Sequence, residues 1–269
     1  MYMRDTNLIK IEDAVQYIND FPIDYDNYIF VKVTEDNLIK RIREAGKKIW
    51  VDYCDPGWWF NPQDARKQLD YADGMVCSCQ PLADDLERWS GRKVHCVRDR
   101  VYLPHYKIRK EHYPHRHVRL IWYGAYQNRI SIFASAANLM RAKANGYDFD
   151  LTIFDDRPDL PWQWGDMKIP IYYALWELEK ENEVIAAHDI ALLPPYPGPW
   201  GKVKSNNKML TAWACGLPTA DGQDYEDLCD LIAQAAIRRE RADFGYAELL
   251  KYYDVVESSR EWEEILCAS

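Results

Sequence analysis

No apolar run in the 269 residues approaches the roughly 18–20 needed to cross a bilayer. The opening stretch, MYMRDTNLIKIEDAV, carries acids where a secretory leader needs an unbroken apolar segment. No Cys-x-x-Cys pair occurs. The seven cysteines (Cys54, Cys77, Cys79, Cys96, Cys215, Cys229 and Cys267) are odd in number and read as free thiols of a reducing cytoplasm, not as a disulfide framework. A positive charge balance is missing too. With 34 Lys and Arg against 43 Asp and Glu, the formal net charge is −9. That excludes a grip on nucleic acid or membrane through overall charge and leaves only a local basic patch. There is no internal repeat.

What is present is an ordinary globular balance, 48% apolar and 29% charged, enough for one large domain or two small ones. Trp (11) and Tyr (19) are abundant, which suits pockets for sugars or bases and equally suits a large core. The patterning predicts a helix over Ile9–Ile18 and a strand over Tyr28–Val33. A helix capped by Thr34 then runs to Ala45, and a strand covers Lys48–Tyr53. Helix Pro62–Ala72, strand Gly74–Ser78, helix Pro81–Trp89 and strand Lys93–Val97 follow. Such alternation implies a parallel sheet.

Between Arg98 and Arg119 the pattern stops. Seven Lys/Arg stand against two acids, with four histidines and two prolines, and the segment reads as a linker. A second alternating series begins with strand Val118–Tyr123, then helix Ile130–Ala144 and strand Phe149–Phe154. A Pro/Trp loop leads to helix Ala174–Ala187, strand Asp189–Leu193, helix Asn207–Cys215 and strand Gly216–Ala220. Helices over Tyr225–Arg239 and Arg260–Cys267 close the chain. The expected architecture is α/β, with two Rossmann-like domains, 1–110 and 111–269, facing across a cleft. Ligands of such sheets bind beyond the carboxyl ends of the strands.

The most informative stretch is DIALLPPYPGPWGKVKSNNKMLTAWACGLPTA, Asp189–Ala220. Ser205, Asn206 and Asn207 open a helix, with Lys208 in its first turn and Lys202 and Lys204 just before it. Unpaired N–H groups, the helix dipole and lysines together make an anion site suited to a diphosphate. Plain N-capping with solvated lysines is the other reading.

Lys208-x3-Ala212-x-Ala214-x-Gly216-x-Pro218, after a strand ending in Leu193-Pro194, resembles the C-terminal domain of GT-B glycosyltransferases. The likeness is strongest to the retaining family 4 group. Leu120-Ile-Trp-Tyr-Gly124 looks like the first strand of that domain, whose glycine admits the donor diphosphate. Arg129 stands near the place of a phosphate-binding lysine. Tyr71–Val97 looks like the last strand–helix–strand unit of a shortened N-terminal acceptor domain. The stretch from Arg260 resembles the final helix that crosses back to that domain. The resemblance implies a nucleotide-diphosphate sugar donor, held by Gly124, Arg129, Lys204, Ser205, Asn206, Asn207 and Lys208. It also implies transfer without metal or other cofactor, and retention of anomeric configuration. The chain departs from the family's paired glutamates: Thr211 stands at one position and Val203 at the other. Those acids hold donor hydroxyls, so the sugar is left open.

Asp52 and Asp55, at a strand end, are candidates to orient or deprotonate an acceptor hydroxyl, with turn capping the alternative for Asp55. Trp58, Trp59 and Phe60 either stack on an acceptor or pack inward. His112, His115 and His117 have no metal-ligand spacing. Asp155-Asp156 ends a strand and either meets the nucleoside or caps a loop. The expectation is a cytoplasmic glycosyltransferase with an unidentified acceptor. The alternatives are transfer to a modified nucleic-acid base, favoured by the basic linker and opposed by the net acidity, and a non-catalytic nucleotide- or sugar-binding protein.

Overall fold

The computed structural model describes residues 20–32, 35–162 and 168–267. The expected helix over Ile9–Ile18, the Thr34 cap and Val33 lie outside them. The chain divides into two compact units: the residues up to Arg98 with the chain end from Ile265, and Asp99–Glu264.

The first unit is a four-stranded parallel sheet in sequential order: β1 (Asn27–Val31), β2 (Lys48–Tyr53), β3 (Gly74–Cys77) and β4 (His95–Cys96). Helices α1 (Asp36–Glu44), α2 (Pro62–Tyr71) and α3 (Gln80–Ser90) connect them. Each connector carries its own start or stop signal. Glu35 caps α1, its carboxylate accepting from Leu38 N at 2.6 Å. Pro62 occupies the first turn of α2 behind the Asn61 cap. Gly91, at φ +70, ends α3. Ile39, Ile42, Leu82 and Leu86 are the buried positions of α1 and α3, and Ile49, Val51, Met75 and Val76 are buried in the sheet. Gly74 is obligatory, because a β-carbon there would sit 2.1 Å from the Trp50 ring.

The second unit is a five-stranded parallel sheet of order β7-β6-β5-β8-β9: β5 (Val118–Tyr123), β6 (Phe149–Asp155), β7 (Ile171–Leu175), β8 (Ile190–Leu192) and β9 (Thr219–Ala220). All seven residues of β6 are buried, as expected of a strand covered on both faces. Helices α4 (Ala136–Ala144), α5 (Glu181–Ala186), α6 (Asn207–Ala214), α7 (Tyr225–Ala233), α8 (Ala235–Tyr252) and α9 (Val255–Cys267) complete the chain. Strand order reverses between β5 and β8, the place where an open α/β sheet leaves a crevice at its carboxyl edge.

Several expected elements differ. The helix expected over Ala174–Ala187 begins instead as the end of β7, in which Tyr172 and Leu175 are exposed and the other residues half-buried, and only Glu181–Ala186 is α-helical. The helix expected from Ile130 is a 3-10 run, Tyr126–Ala134, followed by α4. The helix expected over Tyr225–Arg239 breaks at Gln234, whose extended backbone (φ −122°, ψ 103°) separates α7 from α8. The linker segment is laid against the second unit. Ile108 exchanges both backbone groups with the Asn182 side chain, Lys110 N donates to Cys215 O at 2.8 Å, and Val101 N donates to Tyr253 O at 2.9 Å. It lacks apolar periodicity because backbone hydrogen bonds, not a repeating apolar face, hold it.

Candidate functional site

At the reversal point β5 runs out into Gly124 and the chain after β8 returns as α6. Gly124 has φ +147°, a backbone that favours glycine. A β-carbon there would stand 2.4 Å from Lys208 Nζ and 2.8 Å from its Cε. The lysine therefore lies across the strand end only because position 124 has no side chain. Its ammonium is 4.8 Å from the centre of the buried Trp122 ring, and Trp122 Nε1 donates to Ser131 Oγ at 3.1 Å. Tyr123 Oη donates to Lys208 O at 2.5 Å, tying the first turn of α6 to β5.

Among the described residues Lys208 has no carboxylate partner. Burial first, then repulsion from Lys204, pulls its pKa down to about 8. A largely desolvated cation without a counter-ion is what an anion site looks like before the anion arrives. The helix start agrees with this. Asn206 caps α6 with no side-chain bond, and Asn207 Oδ1 accepts from Lys208 N at 2.7 Å. Ser205 Oγ donates to Asp99 Oδ2 at 2.5 Å, and Lys204 Nζ lies 4.8 Å over the Trp200 ring. Gly124, Lys204, Ser205, Asn206, Asn207 and Lys208 thus form one neighbourhood at the carboxyl edge.

Arg129 is placed differently. It is fully buried, its Nε and one terminal nitrogen donating to the two oxygens of Asp155, and the terminal nitrogens also reaching the carbonyls of Arg157 and Leu160. Tyr126 and Tyr173 cover its plane at 4.7 and 4.9 Å. In this arrangement the guanidinium braces the end of β6 and offers no face to a ligand. Asp155 is its counter-ion, and Asp156 Oδ1 accepts from Tyr126 N at 2.7 Å.

Thr211, one turn beyond Lys208, has a carboxylate nearby that no spacing in the sequence signals. Tyr106 Oη lies 3.4 Å from Thr211 Oγ1 and donates to Glu181 Oε2 at 2.9 Å. Trp176 Nε1 donates to Glu181 Oε1 at 3.0 Å, and His105 Nε2 stands 3.7 Å from Glu181 Oε2. Burial and the neighbouring Glu181 raise the Tyr106 phenol well above its ordinary range, so it remains a donor.

In the first unit the structure separates the two candidate aspartates. Asp52 is half-buried within β2, and its carbonyl accepts from Lys32 N at 3.0 Å. Asp55 lines a pocket of about 230 Å³ at the carboxyl edge, its Oδ2 3.7 Å from Lys32 Nζ. Trp58 is buried against Tyr53 and Trp89, whereas Trp59 is 37% and Phe60 65% exposed. Both indoles donate to Asp85 Oδ2. The three histidines go to separate partners: His112 to Gly216 O, His115 to Asp189, and His117 to Asp148 and Asp150.

No protein-family model and no curated protein sequence matches the chain. Solved structures do. A trehalose-6-phosphate synthase from Burkholderia multivorans is 14% identical, covering 96% of this chain and 72% of its own, at a TM-score of 0.58. A glycosyltransferase from Rickettsia africae is 8% identical, covering 98% and 83%, at 0.63. An α-glucosyltransferase solved with UDP and a 13-mer DNA containing an HMU base is 10% identical, covering 95% and 82%, at 0.63. The two parallel sheets of this chain, with their strand order and connecting helices, have the fold of glycosyltransferases of the GT-B type.

Proposed function

We propose that the protein is a glycosyltransferase that takes a sugar from a nucleotide-diphosphate donor. The observation that carries this is the Lys208 ammonium, uncompensated by any described carboxylate and lying across Gly124 at the reversal point of the second sheet. Together with Lys204 and the start of α6 it would stabilise the charge on the departing diphosphate, a purely electrostatic form of catalysis. Metal independence and retention of configuration belong to the same reading. We give Arg129 a supporting role, since its donors are engaged by Asp155 and two carbonyls. Glu181, held by Tyr106 and Trp176, is the carboxylate we assign to donor hydroxyls. Asp55, which lines a pocket, is favoured over Asp52 as the group that orients the acceptor. Among the described residues none of the seven cysteines forms a disulfide, which supports a reducing compartment.

Calorimetric titration with nucleoside diphosphates and a hydrolysis panel of nucleotide sugars test the proposal. Lys208→Ala should weaken nucleoside diphosphate binding tenfold or more, since a charge-assisted phosphate contact is worth about 1.5–3 kcal/mol, and should leave nucleoside binding nearly unchanged. Turnover should survive chelation by EDTA. Tight nucleotide binding with no turnover on any sugar would favour the non-catalytic reading, for which Thr211 at a family glutamate position is the specific observation.

A further inference from the structure

Lys32 is the one non-glycine among the described residues with a left-handed backbone, at φ +64°. It stands immediately beyond the carboxyl end of β1, and its N–H is anchored on Asp52 O at 3.0 Å. A side chain in this region is strained and persists only where its surroundings enforce it. The consequence is local. The turn brings Lys32 Nζ to 3.7 Å from Asp55 Oδ2, and both residues line the 230 Å³ pocket.

Lys32, Asp55, Asn61, Asp64 and Gln68 supply polar side chains to a lining that also includes Tyr53 and Ala65. One ammonium, two carboxylates and two amides form a mixed set of donors and acceptors. That set matches hydroxyl groups, each of which both gives and accepts a hydrogen bond. Its net charge is −1, counting Lys32 against Asp55 and Asp64, and this disfavours a phosphate ester or a phosphodiester backbone. Asp64 is pre-positioned, because its N–H and its carboxylate both bond the Asn61 side chain. Trp59 and Phe60, in the chain between lining residues Gly57 and Asn61, are exposed beside this pocket in sequence. The volume falls below the roughly 300–1,000 Å³ of drug-sized ligand sites and suits a single ring.

We infer that this pocket is a subsite for an uncharged sugar, the acceptor of the reaction, with Lys32, Asp64 and Gln68 setting its specificity. The inference rests on the glycosyl-transfer reading above and narrows the acceptor to a neutral polyhydroxyl compound. It sets aside phosphorylated sugars and nucleic acid.

Saturation-transfer NMR on the full chain, with and without saturating nucleoside diphosphate, tests it. The probes are neutral methyl glycosides, their 6-phosphate esters and a single-stranded oligodeoxynucleotide. Neutral glycosides should bind, and binding should fall at least tenfold in Gln68→Ala and in Lys32→Gly, the latter keeping the left-handed backbone while removing the ammonium. Circular dichroism and unchanged nucleoside diphosphate affinity would show both variants folded. Glycoside binding equal to wild type in both variants would overturn the proposal. Binding confined to the phosphate esters or the oligonucleotide, or no glycoside binding under either condition, would overturn it as well. Failure of nucleoside diphosphate binding in the wild-type protein would instead strike the donor reading and leave the glycoside result to stand by itself.

Discussion

Gly124 and Lys208 occupy one space: the lysine amine fills the volume that any β-carbon at position 124 would claim, 2.4 Å from its ideal position. A conservative change at the glycine is therefore a test of the lysine. Gly124→Ala combines a strained φ of +147° with a clash at the amine. Lys208 is the movable partner, so the variant should fold and should lose nucleoside diphosphate affinity about as severely as Lys208→Ala. Thermal melting and calorimetry on both variants check this. An affinity loss in Lys208→Ala with none in Gly124→Ala would show that the amine acts from another position.

The pKa of Lys208, lowered to about 8, gives a signed pH dependence. An approaching diphosphate favours the ammonium and raises that pKa. Affinity should be flat well below pH 8 and fall above it, by up to about tenfold per pH unit, until the pKa of the bound state is reached. Stability has the opposite slope over the same range. The folded form gives up the proton more readily than the unfolded chain, so burial of the charge costs stability below pH 8, and the cost disappears as pH rises from about 8 towards 10.5. Lys208→Met should accordingly raise the melting temperature at pH 7 while weakening diphosphate binding at least tenfold. A variant less stable than wild type would show that the lysine is a structural element.

Much of this site was legible in the sequence, and the reason is local. Gly124 ends an apolar strand, Asn207 and Lys208 open a helix, and Ala212, Ala214 and Gly216 are small where the helix packs closely. Each signal is confined to a few neighbouring residues. The same holds for β2, β5 and α3, whose apolar periods and start or stop residues lie within the element. What escaped depends on residues far apart in the chain. Glu181 reaches Thr211 only through Tyr106, a contact between positions 75 and 105 residues distant. Arg129 looked free to meet a phosphate because nothing local announces that Asp155, 26 residues on, takes its guanidinium. Lys32 carries no sequence mark at all, since its left-handed backbone is imposed by the Asp52 carbonyl of a neighbouring strand. The end of β7 is not legible because Ala174-Leu175 fits the start of a helix as well as a half-buried edge strand.

Glu181 offers a second measure of the donor site. Its two oxygens are held by Trp176 and Tyr106, so the carboxylate is oriented before any ligand binds. Glu181→Gln keeps the shape but replaces one acceptor by a donor, which opposes Trp176 or Tyr106 and any ligand hydroxyl. Affinity for a nucleotide sugar should fall about tenfold, at a cost of roughly 1.5 kcal/mol for one charge-assisted hydrogen bond, with inorganic pyrophosphate affinity unchanged. Parallel titrations with the two ligands decide the matter. Equal losses on both would place the effect at the diphosphate.

His188 sets the acid limit of the second unit. It is 2% exposed at the end of α5, with Nδ1 2.7 Å from Val184 O and Nε2 2.8 Å from Thr152 Oγ1. The carbonyl accepts only a proton, so Nδ1 carries the hydrogen and Nε2 accepts from the threonine hydroxyl. A protonated ring could still donate to the threonine hydroxyl, but burial disfavours the charge and pushes the pKa down to about 4. The unfolded chain binds that proton from about pH 6.5 downward, whereas the folded one resists it until about pH 4. Stability is thus complete above pH 6.5 and is lost as pH falls through this window, by on the order of 3 kcal/mol in all. His188→Gln preserves a donor towards Val184 and removes the titration, so its urea midpoint should change less than that of wild type between pH 7 and pH 4.5, although it starts from a lower value. If the two proteins lose stability in parallel over that interval, the acid lability originates elsewhere, and His112, whose pKa burial also lowers and whose Nε2 lies 2.9 Å from Gly216 O, is the next group to replace.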